Sequence, residues 1–483
     1  MAFFFTHWEE GLSVTLSGHR SSSGQQEGKS RAAGRVLGTV LAVVCLAGLG
    51  TGSAIAAGQE ITETLPPIAA PKPVAEPQQI PVRVVLPTPD ATIENVVPLK
   101  LADPDYPALM LLWVIWPGTK PLPVIVLTYD HAEKAYVDST AKIIDGPIPK
   151  TINPGNFAII KLPGSRCEGV AIANGGLDTF GTSAPSPGTT DTLLLPTPDG
   201  RLKDESAVLP KRRAFTHYTS SGTIDAEGHV AIFFNNIPSQ GNGPPVLLKQ
   251  DTSGAFVEAD DDLPRVARMN KPSFGSSALV DVNGDGLADL VLGGGDKAFP
   301  SRIYLNPGNG DFSRTTPIAL PNSPLPRKYN PPTDSVVGGG VIDITPIHLS
   351  SPNYADLLMT SVSADYSGYA LQVLINDGSG HFTDETKERI RSVPMIVASS
   401  KGHPNEWLKR TWAFELKGKP DIVIQSASPA KVHSRVFHND GTGHFDLAGL
   451  VLGPTIAGVA NFGGRPMLIE ATLNGITLAP YPN

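Results

Sequence analysis

Leu374-Ile-Asn-Asp-Gly-Ser-Gly-His-Phe382 reads as the end of a strand, a tight turn and an apolar return. Asn, Asp and Gly supply the positions tolerant of positive φ that a tight hairpin demands, and the closing Phe points back into a sheet. The same unit recurs at Leu193-Leu-Leu-Pro-Thr-Pro-Asp-Gly-Arg-Leu202, Leu247-Leu-Lys-Gln-Asp-Thr-Ser-Gly-Ala-Phe256, Tyr304-Leu-Asn-Pro-Gly-Asn-Gly-Asp-Phe312 and Val436-Phe-His-Asn-Asp-Gly-Thr-Gly-His-Phe445. A weaker copy runs from Val126 to Tyr136.

The closing residues, at 136, 202, 256, 312, 382 and 445, lie roughly 54 to 70 residues apart. Self-similarity on one scale signals a repeat architecture. A single four-stranded sheet cannot bury both of its faces, whereas radial stacking gives every sheet two neighbours. Apolar runs precede the hairpins at Val230-Ala-Ile-Phe-Phe, Leu290-Val-Leu, Leu357-Leu-Met and Ile422-Val-Ile, and these read as buried inner strands. The tail Met467–Leu478 reads as a truncated last blade, with strands from about 96 to 115 completing the ring. The expected fold is all-β, a β-propeller of seven blades of four-stranded antiparallel sheet over 96–483.

Composition agrees. Among 483 residues, 49 Gly and 46 Pro imply many turns, and a 40% hydrophobic content is too rich for a disordered chain. The net charge of −8 argues against nucleic-acid binding, which needs clustered cations; the one basic cluster, Lys211-Arg212-Arg213, reads as a solvated loop. Cys45 and Cys167 are the only cysteines, and Cys45 falls in an apolar N-terminal run, so no disulfide framework is available to the folded body.

That run, Val36 to Gly50, follows Lys29, Arg31 and Arg35 and precedes the small residues Ala54-Ile55-Ala56, the order an export machinery reads. Residues 1–57 are therefore expected to be an export segment. Its core lies far from Met1, which leaves two explanations: a translation start further downstream, or an uncleaved anchor over Val36–Ala57 that would be the only membrane contact. Cleavage is the preferred reading. Either outcome places the body outside the cytoplasm. The Pro-rich stretch 58–95 reads as a spacer.

One expected blade carries Asp281-Val-Asn283-Gly-Asp285-Gly-Leu287-Ala-Asp289. Alternate residues offer three carboxylates, an amide and the Leu287 carbonyl, and Gly284 and Gly286 let the backbone curl. Hard oxygen ligands at that spacing suit Ca2+. Together with Phe274-Gly275 and Gly293-Gly-Gly295, which stands where Gly-Ala-Pro is usual, the loop resembles the FG-GAP repeat of integrin α propellers and of bacterial VCBS-type proteins. The resemblance extends through the hairpins over roughly 190–450, and it implies a structural ion held by Asp281, Asn283, Asp285, Leu287 and Asp289. Elsewhere the loop is degenerate: Asp343 to Asp356 matches its ends, Asp225-Ala-Glu227-Gly is a shortened remnant, and Glu415 to Asp421 has lost the ligands.

No Gly-x-Ser-x-Gly elbow, P-loop or His-Glu-x-x-His run occurs, and no catalytic residue is assigned. The acids Glu258, Asp260, Asp261 and Asp262 could supply the carboxylate pair of a glycosidase, but their place after a hairpin suits a solvated loop better. His433, His438 and His444 read as turn histidines, and Trp407, Trp412 and Phe414 read as core before they read as a sugar platform. The expected function is a non-catalytic binding module for a protein or a glycan, using the loops Asn174–Asp191 and Leu325–Val336. The alternative is a secreted carbohydrate-active enzyme.

Overall fold

Val230–Asn236, one of the apolar runs, is buried along its whole length because both of its faces are covered. Val230, Ile232 and Phe234 pack with Ile160, Ala171 and Leu193 on one side, while Ala231 and Phe233 meet Leu279, Leu290 and Leu292 on the other. Successive residues of a strand point to opposite faces, so a strand sandwiched between two sheets is apolar at every position. Burying one such Phe contributes about 1.5–3 kcal/mol.

The computed structural model describes residues 80–482 apart from 180–185, 238–242, 270–273, 295–298, 326–339, 364–365, 367, 398–406, 417, 428–432, 452–454 and 473–474. These residues form a seven-bladed β-propeller. The blades span 92–138, 154–204, 216–258, 276–319, 341–384, 408–451 and 455–480. Six have four antiparallel strands in sequence order, with Ile144–Asp145 added in parallel to blade 2 and Ile396–Val397 paired to blade 5; the last has three, Thr455–Phe462, Arg465–Thr472 and Gly475–Pro480. Blade 1 opens with Thr92–Leu99, so its first four residues fall in the stretch expected to be spacer and the propeller begins before residue 96. The export segment and residues 58–79 lie outside the described residues, and among the described ones no helix is long and apolar enough to cross a membrane.

Seven apolar clusters hold the ring, one at each junction between neighbouring blades. Val97, Met110 and Val126 of blade 1 meet Val170 and Ile172 of blade 2; Val291 and Ile303 of blade 4 meet Leu357 and Met359 of blade 5; Val423 and Val436 of blade 6 meet Ile456 and Leu468 of blade 7. The ring closes where Met467 and Ile469 of blade 7 pack on Leu109, Leu111 and Leu127 of blade 1. A short N-terminal strap strengthens that closure. Tyr136 N donates to Pro81 O and Arg83 N to Tyr136 O, both at 2.9 Å, and Val84 lies against Gly475 of blade 7.

The apolar runs are the second strands of their blades, buried inside the sheets as expected. The first strands surround the axis and mix apolar with polar residues: in Val341–Ile347, Val341 and Ile344 join the core between blades 4 and 5 while Asp343 enters the central network. In six of the seven a register shift adds one residue, at Ile93/Asn95, Pro154/Asn156, Thr216/Tyr218, Val341/Asp343, Leu408/Arg410 and Ile456/Gly458. Such bulges re-aim side chains. Here they bring polar groups together across the ring: Arg410 of blade 6 donates to Asn95 Oδ1 of blade 1 at 2.6 Å and to Gly155 O of blade 2 at 3.0 Å. Tyr218 of blade 3 donates to Asp343 Oδ1 of blade 5 at 2.8 Å, and Asp343 Oδ2 accepts from Thr411 N and Oγ1.

Because antiparallel strands alternate in direction, the first-to-second turns and the third-to-fourth hairpins share one end of the ring. The second-to-third turns and the crossings between blades share the other.

Candidate metal centre

Asp281 follows the first strand of blade 4, Ser276–Val280, and Asp289 opens the second, Asp289–Gly293. Between them the chain wraps around the Asp281 carboxylate: Oδ1 accepts from Asn283 N at 3.1 Å and Gly284 N at 2.7 Å, and Oδ2 from Gly286 N at 2.8 Å. Gly284 and Gly286 sit at φ of 79° and 83°, a conformation that favours glycine. Asn283 Nδ2 donates to Asp285 Oδ2 at 2.9 Å, and Leu287 N donates to Asp285 Oδ1 at 2.8 Å. The loop is also stitched to both neighbours. Ala288 N donates to Thr223 O of blade 3, and the Asp281 carbonyl accepts from Ala355 N of blade 5.

Asp289 is fully buried and its oxygens accept the backbone N–H groups of Val282 and Asn306, at 2.9 and 2.7 Å. Burial, with the charges of Asp285 and Asp281 adding to it, pushes its pKa up to about 7. Among the described residues no cation forms an ion pair with Asp281, Asp285 or Asp289. Three carboxylates and an amide oxygen in nine residues, with no compensating side chain, form a donor set suited to a hard divalent cation, since each carboxylate keeps lone pairs beyond those used by the backbone.

Asp289 has a second role that recurs. Asn306 donates its Nδ2 to Ala288 O and to Ile224 O of blade 3, while its Oδ1 accepts from Gly308 and Gly310. In blade 5 Asp356 accepts from Asn376 N, and Asn376 Nδ2 donates to Ala355 O and to Val282 O of blade 4. In blade 6 Asp421 accepts from Asn439 N, and Asn439 Nδ2 donates to Pro420 O. The Asn of each Asn-x-Gly hairpin therefore clasps an Asp at the start of the second strand, its first residue in blades 4 and 5 and its third in blade 6. Sequence reading took these asparagines for turn formers; the invariant pairing with an upstream Asp was the signal available.

The other degenerate loops divide. Asp343 lies within the first strand of blade 5, Val341–Ile347, and is buried in the central network, so it does not begin a loop. Glu415 lies within Leu408–Leu416 and pairs with Pro420. Asp225 and Glu227 occupy the first-to-second turn of blade 3, the place held by the Asp281 loop in blade 4.

The acids proposed for a glycosidase are tied into the outer edge of blade 3. Arg212 pairs with Glu258 at 3.2 Å and with Asp260, Lys249 Nζ reaches Asp262 at 2.8 Å, and Arg268 reaches Asp261 at 2.8 Å. Asp260 Oδ1 accepts from Leu247 N of the third strand. The same third-strand N–H is received by Thr140 in blade 1, Ser206 in blade 2 and Thr386 in blade 5, so Asp260 fills a structural position common to the repeats. Burial first, then Asp260, raises the pKa of Glu258. The basic run at Lys211–Arg213 contributes Arg212 to these pairs, and Arg213 bonds Gly188 O.

The histidines do not converge: His438 Nδ1 lies 2.8 Å from Asp421 Oδ2, and His444 Nδ1 lies 2.8 Å from Thr442 Oγ1. Trp407 stacks edge-on with Tyr366, while Trp412 and Phe414 pack at the junction of blades 6 and 7. They form no common platform.

The family model of the FG-GAP-like repeat matches residues 281–333, from the Asp281–Asp289 loop through the rest of blade 4 and beyond it. The protein is a seven-bladed propeller that carries an FG-GAP-like repeat. Among solved structures, a protein from Lactobacillus plantarum shares 10% identity, with 76% of this chain and 94% of that one covered and a TM-score of 0.36. A mutant of Trypanosoma rangeli sialidase displaying trans-sialidase activity shares 8% identity, with 80% of this chain and 54% of that one covered and a TM-score of 0.37. No curated protein matches the chain in sequence.

Proposed function

We propose that this protein is an exported, non-catalytic binding propeller, with calcium at its hairpin end and a protein or glycan ligand at the opposite end. Topology carries the reading. Asn174–Asp191 joins the second and third strands of blade 2, and Leu325–Val336 falls between blades 4 and 5, so the strand ends flanking both loops, Asn174 with Thr192 and Ala319 with Val341, lie at the end of the ring away from the Asp281 loop. Residues 180–185 and 326–336 themselves lie outside the described residues. Calcium would be held by Asp281, Asn283, Asp285 and Asp289 with the Leu287 carbonyl. Bound there, it would neutralise three crowded carboxylates and fix a loop that is bonded to blades 3 and 5.

The structural use of Glu258 and Asp260 supports binding over hydrolysis. The test is binding of the full chain to a glycan array in calcium, with parallel assay of sugar release from polysaccharides. The account predicts glycan capture that is lost when residues 180–185 are replaced by Gly-Ser, with unchanged melting. Sugar release that disappears in Glu258→Gln would contradict it.

A further inference from the structure

Asp225, Glu227 and His229 lie on alternate positions of the six-residue turn between Thr216–Thr223 and Val230–Asn236. One ligand atom from each falls within 4.8 Å of the others. Gly228, at φ of 87°, turns the chain back so that His229 N donates to Asp225 Oδ1 at 2.9 Å while His229 Nδ1 lies 2.8 Å from Asp225 Oδ2. Both side chains are largely buried, at 16% and 22% exposure, so the imidazole is held against the carboxylate; Glu227 is exposed and free to swing onto an ion. Asp251, on the hairpin of the same blade, interacts electrostatically with His229 and adds negative charge.

We propose that this turn is a second metal site, selective for a borderline divalent cation such as Zn2+. A ring nitrogen is a poor ligand for calcium, which takes oxygens, whereas two carboxylates and one imidazole are an ordinary three-residue zinc set that leaves the fourth position to water. The two sites occupy equivalent turns of adjacent blades, and their donors divide the metals: all oxygen in blade 4, oxygen and nitrogen in blade 3. Because the turn joins the first and second strands, the ion would sit at the hairpin end.

Isothermal titration of the full chain with ZnCl2 in ~1 mM calcium tests this, using wild type, Glu227→Gln, His229→Gln and Asp285→Asn. The expected result is one zinc equivalent in wild type and Asp285→Asn. Affinity should fall about tenfold or more in Glu227→Gln and His229→Gln, the scale of losing one group that holds a metal. Melting without zinc should be unchanged in Glu227→Gln, whose side chain is exposed, which separates lost ligation from lost folding. Cobalt substitution should give a visible absorption band that His229→Gln removes. No heat of zinc binding, or equal affinity in wild type and His229→Gln, overturns the proposal and leaves the His229–Asp225 pair as a turn contact.

Discussion

At the scale of residues, burial decides what the acids can do. Asp191 is buried and accepts from Asn174 N and Thr216 Oγ1, each at 2.8 Å, yet burial pushes its pKa up to about 7. The folded state thus holds its proton more tightly than the unfolded chain does. That contribution is complete below about pH 4, the unfolded value, and is lost as pH rises through about 7. Urea titrations between pH 4 and 8 should show a fall in stability that Asp191→Asn reduces; an equal slope in the variant would refute the assignment. Asp289 carries the same upward push. A metal needs it ionised, so calcium affinity should weaken as pH falls below about 7, which titration at pH 8 and pH 6 would reveal. The ligand spacing at Asp281–Asp289 was plain in the sequence. The crowding that raises Asp289 was not, because it arises from the blades closing around the loop.

At the scale of elements, the hairpin is more than a turn. Asn376 is buried and its side chain bonds Val282 O, Ala355 O and Gly378 N, joining blade 5 to blade 4. Asn376→Ala leaves those buried groups unpaired and should cost about 2–3 kcal/mol. Asn439→Ala should cost about 1 kcal/mol, since that side chain is more exposed and its amide reaches only its own blade. Chemical denaturation of the two variants would compare them, and equal losses would argue against a cross-blade clasp. The hairpins, their spacing and the second strands were legible because turn chemistry and continuous apolar runs are local signals. The first-strand bulges were not. One extra residue in a strand leaves no local mark, and its consequence, Arg410 meeting Asn95, joins residues far apart in the chain.

At the scale of the whole molecule, the ring is held by apolar junctions and by a polar centre. Arg410 spans blades 6, 1 and 2, and its guanidinium also lies 5.2 Å above the Phe157 ring. Arg410→Ala leaves Asn95 Oδ1 and Gly155 O without their charged donor and should cost about 1.5–3 kcal/mol. A loss below about 1 kcal/mol would show that the centre tolerates water. The blade count follows from the hairpin repeats and the tail, while the strap at Pro81–Val84 lies in a stretch whose prolines suggested only a spacer. Whether calcium pins the propeller is read by a thermal melt of the full chain in ~10 mM calcium and in EDTA, with Asp285→Ala alongside. For a dissociation constant near 10⁻⁴ M, binding contributes about 2.7 kcal/mol. The account predicts a rise of about 3 °C in Tm that the variant loses. A wild-type Tm that is the same in calcium and EDTA would contradict it and leave Asp281–Asp289 as a metal-free turn.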